Sequence, residues 1–305
     1  DVQTLIKNAD AAMYRAKERG KNRYCFYTMD LTRSALERLQ LENDLRLAIK
    51  RDEFQVYYQP QYSLSNRQLV GAEALLRWKH SELGYVSPIK FIPLAESVGL
   101  ILSIGEYVLR ESCIQMKRWL EAGHALERIG VNVSGQQIQR GDFVQTVRNI
   151  LEETGLEPQY LELEITESFI MEQANEAITA LEELRSLGVT LAIDDFGTGY
   201  SSLSYLKRLP IDKLKIDRSF INDIPDDSND MAIAKAIIAL GKTLQLKVIA
   251  EGVETEEQEA FVCFEGCDEV QGFYYSRPVP EAEFVGFLEN EKNGDIAALQ
   301  EGVSK

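Results

Sequence analysis

From residue 51 onward, short apolar runs alternate with amphipathic helical stretches, and few architectures accept that rhythm. The runs read as strands at 54–61, 69–77, 128–133, 160–165, 189–194, 213–216, 246–250 and 268–272. Helical periods fall near 91–97, 105–122, 141–155, 172–187, 200–208, 229–244, 256–264 and 281–289. Strand, helix and strand in succession build a mainly parallel sheet. Eight such strands within residues 51–290 predict an α/β chain whose sheet closes into a (β/α)8 barrel of the TIM type. Ahead of it, residues 1–27 read as a helix, Val2 to Arg19, stopped by Gly20, and a short strand, Arg23 to Tyr27. One helix and one strand bury no core, so this piece is expected to be the tail of another domain. Residues 28–50 carry a helical period through Leu31, Ala35, Leu39 and Leu45 and read as a linker helix. Residues 291–305 lack an apolar period and read as a tail. Because the chain opens on Asp1 rather than Met, a longer protein is expected.

Composition narrows the chemistry. With 33 Lys and Arg against 49 Asp and Glu, net charge is -16, which argues against a polymeric nucleic acid partner. No run approaches the ~18–20 apolar residues of a membrane helix and no signal peptide opens the chain. A cytoplasmic location is therefore expected, with tethering through upstream segments left open. The four cysteines, Cys25, Cys113, Cys263 and Cys267, form no staple pattern and read as reduced thiols. Only two histidines, His80 and His124, are present, and both are expected in surface loops. Histidine-based zinc or triad chemistry is therefore disfavoured, and carboxylates with oxygen-bound metals are favoured.

Barrel enzymes place their chemistry at the C-terminal ends of the strands. Here strand two carries Glu73 and Arg77, strand three ends at Asn132, and strand four at Glu164. Strand five ends at Asp194 and Asp195, strand six carries Lys215, and strands seven and eight run into Glu251 and Gln271. Side-chain alternation puts Glu73 with Gly71, Asn132 with Gly130, Glu164 with Glu162 and Asp194 with Ala192 on the lining face, above small residues that leave space. A buried carboxylate cluster is costly unless cations pair with it, and this all-oxygen set suits Mg²⁺ or Mn²⁺, with two ions expected. Two such ions are a recurring device for cleaving phosphodiesters. Lys215 would then stabilise developing charge and Arg77 would grip a phosphate oxygen. Blander readings stand beside these. Glu73 alone suits a structural ion pair, Asp194-Asp195-Phe196-Gly197 a strand-ending turn, Glu167 a helix cap, and Gln59 an ordinary polar barrel residue.

Several motifs in order carry a resemblance. Gly71-Ala72-Glu73-Ala74-Leu75-Leu76-Arg77-Trp78 is followed by Val131-Asn132-Val133-Ser134, Glu164-Ile165-Thr166-Glu167 and Asp194-Asp195-Phe196-Gly197-Thr198-Gly199. Lys215-Ile216-Asp217-Arg218, Glu251-Gly252-Val253-Glu254 and Gln271-Gly272-Phe273 complete the series. Over residues 50–289 the chain resembles the EAL domain. That resemblance implies a Mg²⁺- or Mn²⁺-dependent phosphodiesterase that opens cyclic di-GMP to linear pGpG, on a barrel whose first strand is antiparallel to the rest. It implies Glu73, Asn132, Glu164 and Asp194 as ligands of one metal, with Asp194 bridging to a second beside Asp195. Lys215 would contact the catalytic water, and Glu251 would act as general base or hold a metal-bound water. Gln59, Arg77 and Gln271 would touch substrate, and Glu167 would hold the loop at 196–204. A homodimer formed near that loop is also implied. Residues 9–23 resemble the end of a GGDEF domain without its signature loop, so an upstream GGDEF or sensor region of the same chain is implied. A module that binds cyclic di-GMP without cleaving it is the alternative; the full residue set favours the enzyme.

Overall fold

The computed structural model describes residues 2–18, 22, 24–172, 174–199 and 203–293. Its contacts divide the chain into two compact units, Asp1–Phe54 with Trp78–Leu100, and Gln55–Arg77 with Ile101–Lys305. The strands are β1 (Phe54–Ser63), β2 (Leu69–His80), β3 (Gly84–Val86), β4 (Arg128–Val133), β5 (Leu161–Thr166) and β6 (Thr190–Phe196). Then follow β7 (Lys213–Ile216), β8 (Lys247–Ala250), β9 (Glu269–Val270) and β10 (Val279–Pro280).

In the first unit, helices Val2–Glu18, Met29–Ala48 and Pro88–Ser97 accompany a short hairpin in which Trp78–His80 pairs antiparallel with β3. Its apolar centre is Phe54, Trp78 and Phe91, with ring centroids 5.6 to 6.1 Å apart. The indole of Trp78 donates to Glu53 Oε2 at 3.0 Å, so its one polar atom is satisfied in the core. Two expectations fail here. Residues 24–28 form no strand and belong to none of the sheet's strands. Gly20 and Arg23, the expected ends of those elements, lie outside the described residues. His80 is not a surface residue but is 4% exposed at the end of β2. Its Nδ1 accepts from the Glu82 and Leu83 N–H groups, and its Nε2 lies 3.3 Å from Asp44 Oδ2.

The second unit is a closed eight-stranded barrel in the order β1-β2-β4-β5-β6-β7-β8-β9, with β9 paired back to β1. Strands from β2 to β9 run parallel, and β1 is antiparallel to β9. A tight return from Ser63 to Gln68 makes this reversal possible, since parallel neighbours would need a crossover. Helices Ile101–Glu121, Phe143–Thr154, Ala174–Ser186, Ser228–Leu244 and Glu256–Glu265 connect the parallel strands. The helix expected over 172–187 is present as Ala174–Ser186, with helical residues also at Glu167–Glu172; residue 173 lies outside the described residues.

Strand parity divides the two faces by chemistry. Ile129 and Val131, Leu161 and Leu163, Leu191 and Ile193, Leu214 and Ile216, and Val248 are all at most 2% exposed. They form the layer between sheet and helices, where each fully buried aliphatic contributes about 1.5–3 kcal/mol. Most of their neighbours along the strands, Arg128, Asn132, Glu162, Glu164, Asp194, Lys213 and Lys215, are polar and line the barrel, among the smaller Gly130 and Ala192. Barrels of this class usually fill that lumen with branched apolar residues, so a polar lumen must satisfy its charges internally.

Candidate active site at the strand exits

The lumen groups are joined in two sets. Towards the strand starts, Arg128, Glu162, Lys213 and Glu269 are all under 5% exposed. Arg128 Nη2 pairs with Glu269, and its Nε lies 3.3 Å from Glu162. Lys213 Nζ lies 2.9 Å from Glu162 and 3.0 Å from Glu269. Burial works against the charges of Glu162 and Glu269, yet Lys213 and Arg128 overcome it and hold both carboxyls below their usual range. Two carboxylates meet two cations, so this set is balanced. It was missed at the sequence level, although it leaves a trace there. Arg128, Glu162, Lys213 and Glu269 each stand two residues before Gly130, Glu164, Lys215 and Gln271, on the same face.

The second set, towards the strand exits, is different. Lys215 is fully buried, and its Nζ lies 2.5 Å from Glu164 Oε2, 2.7 Å from Glu251 Oε1, 3.1 Å from Asp194 Oδ1 and 3.8 Å from Glu73 Oε2. Asp195 is brought in by a local irregularity. Consecutive strand residues point to opposite faces, which would turn Asp195 away from Asp194. The pairing of β6 with β7 slips between Ile193 and Phe196, and Asp195 takes a left-handed φ of 54°. This bulge re-aims the side chain, so that oxygens of Asp194, Asp195 and Glu251 all lie within 4.8 Å of one another.

Five carboxylates, those of Glu73, Glu164, Asp194, Asp195 and Glu251, thus surround a single ammonium. When all are ionised, four negative charges remain. Burial, with the neighbouring carboxylates adding to it against Lys215, pushes Glu164 and Glu251 well above the usual carboxylate range. Asp195 is pushed up to about 6, by burial first and then by the charges of Asp194 and Asp217. Burial opposes the charge of Lys215, but Asp194, Glu164, Glu251 and Glu73 outweigh it and hold the ammonium well above its ordinary value. Glu164 Oε1 is buried and accepts no hydrogen bond. Gly130 makes its position possible, since a Cβ there would collide with that oxygen. An orphaned oxygen amid excess negative charge suits divalent cations held by oxygen.

The other expected residues frame this cluster. Asn132 Nδ2 donates to Glu73 Oε1 at 2.6 Å, and Gln271 Nε2 donates to Glu73 Oε2 at 2.5 Å. Gln59 Nε2 donates to the Ser276 carbonyl at 3.0 Å, which leaves its Oε1 to accept from Gln271 at 2.9 Å. Arg77 is half-buried, its guanidinium 5.6 Å from the ring centre of Tyr57. The Glu167 side chain lies outside the cluster, fully buried, and accepts the N–H groups of Gly197 at 2.7 Å and Gly199 at 3.3 Å. Residues 200–202 of the loop it grips lie outside the described residues. Asp217, which was not singled out from the sequence, accepts the Ser219 N–H at 3.0 Å, and its charge helps to raise Asp195. Capping boxes at Ser134 with Gln137 and at Thr255 with Gln258 start the helices after β4 and β8, fixing the chain near two of the strand exits.

Comparison with known proteins agrees with this architecture. The EAL domain family matches residues 42–278. The bifunctional diguanylate cyclase/cyclic di-GMP phosphodiesterase MucR of Pseudomonas aeruginosa is 51% identical over 281 residues, covering 92% of this chain and 41% of MucR. The cyclic di-GMP phosphodiesterase NbdA of the same organism is 46% identical over 286 residues, covering 94% of this chain and 36% of NbdA. The chain therefore spans about two fifths of the length of these curated relatives. The solved structure of the PaMucR phosphodiesterase in complex with c-di-GMP superposes with a TM-score of 0.79 at 51% identity, covering 80% of this chain and 99% of that one. The chain belongs to the EAL domain family.

Proposed function

We propose that this chain is a metal-dependent phosphodiesterase that hydrolyses cyclic di-GMP to linear pGpG. The observation that carries the reading is the charge imbalance at the strand exits, five carboxylates around Lys215 with Glu164 Oε1 left without a partner. Two Mg²⁺ or Mn²⁺ ions would restore balance. Glu73, Asn132, Glu164 and Asp194 would hold one, and Asp194, Asp195 and Glu251 the other. Such ions supply Lewis-acid polarisation and a nucleophilic water at neutral pH. The chain's own groups do the rest. Lys215 keeps its proton at Nζ and donates to charge that develops on the phosphoryl oxygens. Glu251 accepts the proton of the attacking water. Arg77 holds a phosphate oxygen, and Gln59 and Gln271 border the substrate. Water adds to phosphorus, the bond to one 3′ oxygen breaks, and the product keeps a 5′ phosphate and a free 3′ hydroxyl.

The names of MucR and NbdA and the ligand of the PaMucR structure support this substrate. Among the described residues no helix is long and apolar enough to cross a membrane. In the same reading, residues 51–290 are the catalytic barrel, residues 1–27 end an upstream GGDEF-like domain, 28–50 link the two and 291–305 form a tail. The protein works in the cytoplasm as a homodimer. Incubation with cyclic di-GMP and Mg²⁺ or Mn²⁺, with products resolved by chromatography and mass, is the test. Appearance of pGpG is expected, whereas binding without turnover would leave only the sensor reading.

A further inference from the structure

We infer that Arg128 and Gln61 are positioning residues for the site, because they set the direction of an amide relay that ends on Glu73. Arg128 Nη2 donates to Gln61 Oε1 at 3.1 Å, and Gln61 Nε2 donates to Gln271 Oε1 at 2.9 Å. Gln271 Nε2 then donates to Glu73 Oε2 at 2.5 Å and to Gln59 Oε1 at 2.9 Å. The two ends of this chain cannot be exchanged. A guanidinium has only donors, and a carboxylate oxygen only accepts. Each amide between them has one end of each kind, so fixing the first fixes all of them. Arg128 is itself immobilised by Glu162 and Glu269 in the balanced set. Gly71 clears the crossing, since a Cβ there would lie 3.1 Å from Arg128 Cγ and 3.2 Å from Gln61 Oε1. Gln61 and Arg128 are buried, and neither touches the carboxylate cluster. Their effect reaches it through orientation. With Gln271 held nitrogen-first, Glu73 Oε2 is drawn towards the amide while Asn132 holds Oε1. The carboxylate is thereby oriented on both oxygens before a cation arrives.

The inference rests on the proposed role of Glu73 as a metal ligand. The decisive substitution is Gln61→Glu, which keeps shape and gives Arg128 a better partner but removes the donor. Gln271 must then turn its Nε2 towards residue 61 and present its oxygen to Glu73. Mn²⁺ affinity, read by calorimetry, should fall about 10-fold or more, as when outer partners of ligands are changed. The KM for cyclic di-GMP should rise, while the melting temperature in EDTA stays at or above that of the wild type. Gln61→Leu removes the direction without reversing it and should lose less Mn²⁺ affinity. Wild-type Mn²⁺ affinity in Gln61→Glu would overturn the relay, as would equal losses in the two variants. If Gln61→Glu does not fold, wild-type affinity in Gln61→Leu overturns it. A wild-type chain that binds no Mn²⁺ would sink the metal reading and the relay together. A wild-type chain that binds Mn²⁺ no better than Gln61→Glu would sink the relay alone.

Discussion

Lys215 and Glu73 lie 3.8 Å apart yet should fail differently when removed. Lys215 neutralises part of the cluster and occupies the oxygens of Glu164, Asp194 and Glu251 that cations would also use. Lys215→Ala should therefore bind Mn²⁺ at least as tightly as the wild type. It should lose turnover by ~10²–10³-fold, the size expected when one preorganised donor to developing charge is lost. Glu73→Ala removes an oxygen ligand and frees the amides of Asn132 and Gln271, so metal binding and turnover should fall together. Mn²⁺ calorimetry beside product assays on both variants checks this. Turnover at the wild-type rate in Lys215→Ala would show that the ammonium balances charge and nothing more.

Among elements, the segment that leaves β6 makes the closest link between backbone conformation and chemistry. Its bulge turns Asp195 towards Asp194, and its next turn is tied down by Glu167 through the N–H groups of Gly197 and Gly199. A charged acceptor on two backbone donors is stronger than a neutral one, and here it holds two half-buried N–H groups. Glu167→Gln should weaken this hold without touching a metal ligand. The expected result is lowered activity that recovers in part at high Mg²⁺, because added cation pulls Asp194 and Asp195 back into place. Glu164→Gln should show no such recovery. Rate against Mg²⁺ concentration for the two variants decides, and parallel curves would mean that Glu167 has no separate effect through the loop.

For the whole barrel, the contrast between the balanced lumen set and the unbalanced exit set has a measurable consequence. Asp195 is pushed up to about 6 and Glu164 and Glu251 are held well above their usual range, whereas an unfolded chain releases these protons near pH 4. Between about pH 4 and 6 the folded protein therefore holds more protons than the unfolded one, so this contribution to stability falls as pH rises. Cations compete with those protons for the same oxygens. In EDTA the melting temperature should accordingly lose the Asp195 contribution between about pH 4 and 6, and the upshift given by Mn²⁺ should grow over the same interval. Scanning calorimetry with and without Mn²⁺ measures both, and an upshift independent of pH would contradict the cluster as the binding site.

The series of strands, the alternation of outward and lining residues, and the positions of Glu73, Asn132, Glu164 and Asp194 on the lining face were legible in the chain alone. A two-residue period converts sequence directly into facing, so no tertiary information was needed. The antiparallel course of β1 came from resemblance, because an apolar run reads the same in either direction. The joining of Asp195 to Asp194 could not be read from parity, which places them on opposite faces; a bulge with a left-handed residue decided it. His80 looked like a loop residue because its partner Asp44 is 36 positions away and nothing local announces the contact. The balanced set of Arg128, Glu162, Lys213 and Glu269 and the amide relay through Gln61 were likewise settled only by closure of the barrel. Local pattern determines which way a side chain points, but which charges meet depends on how distant strands are staggered around the lumen.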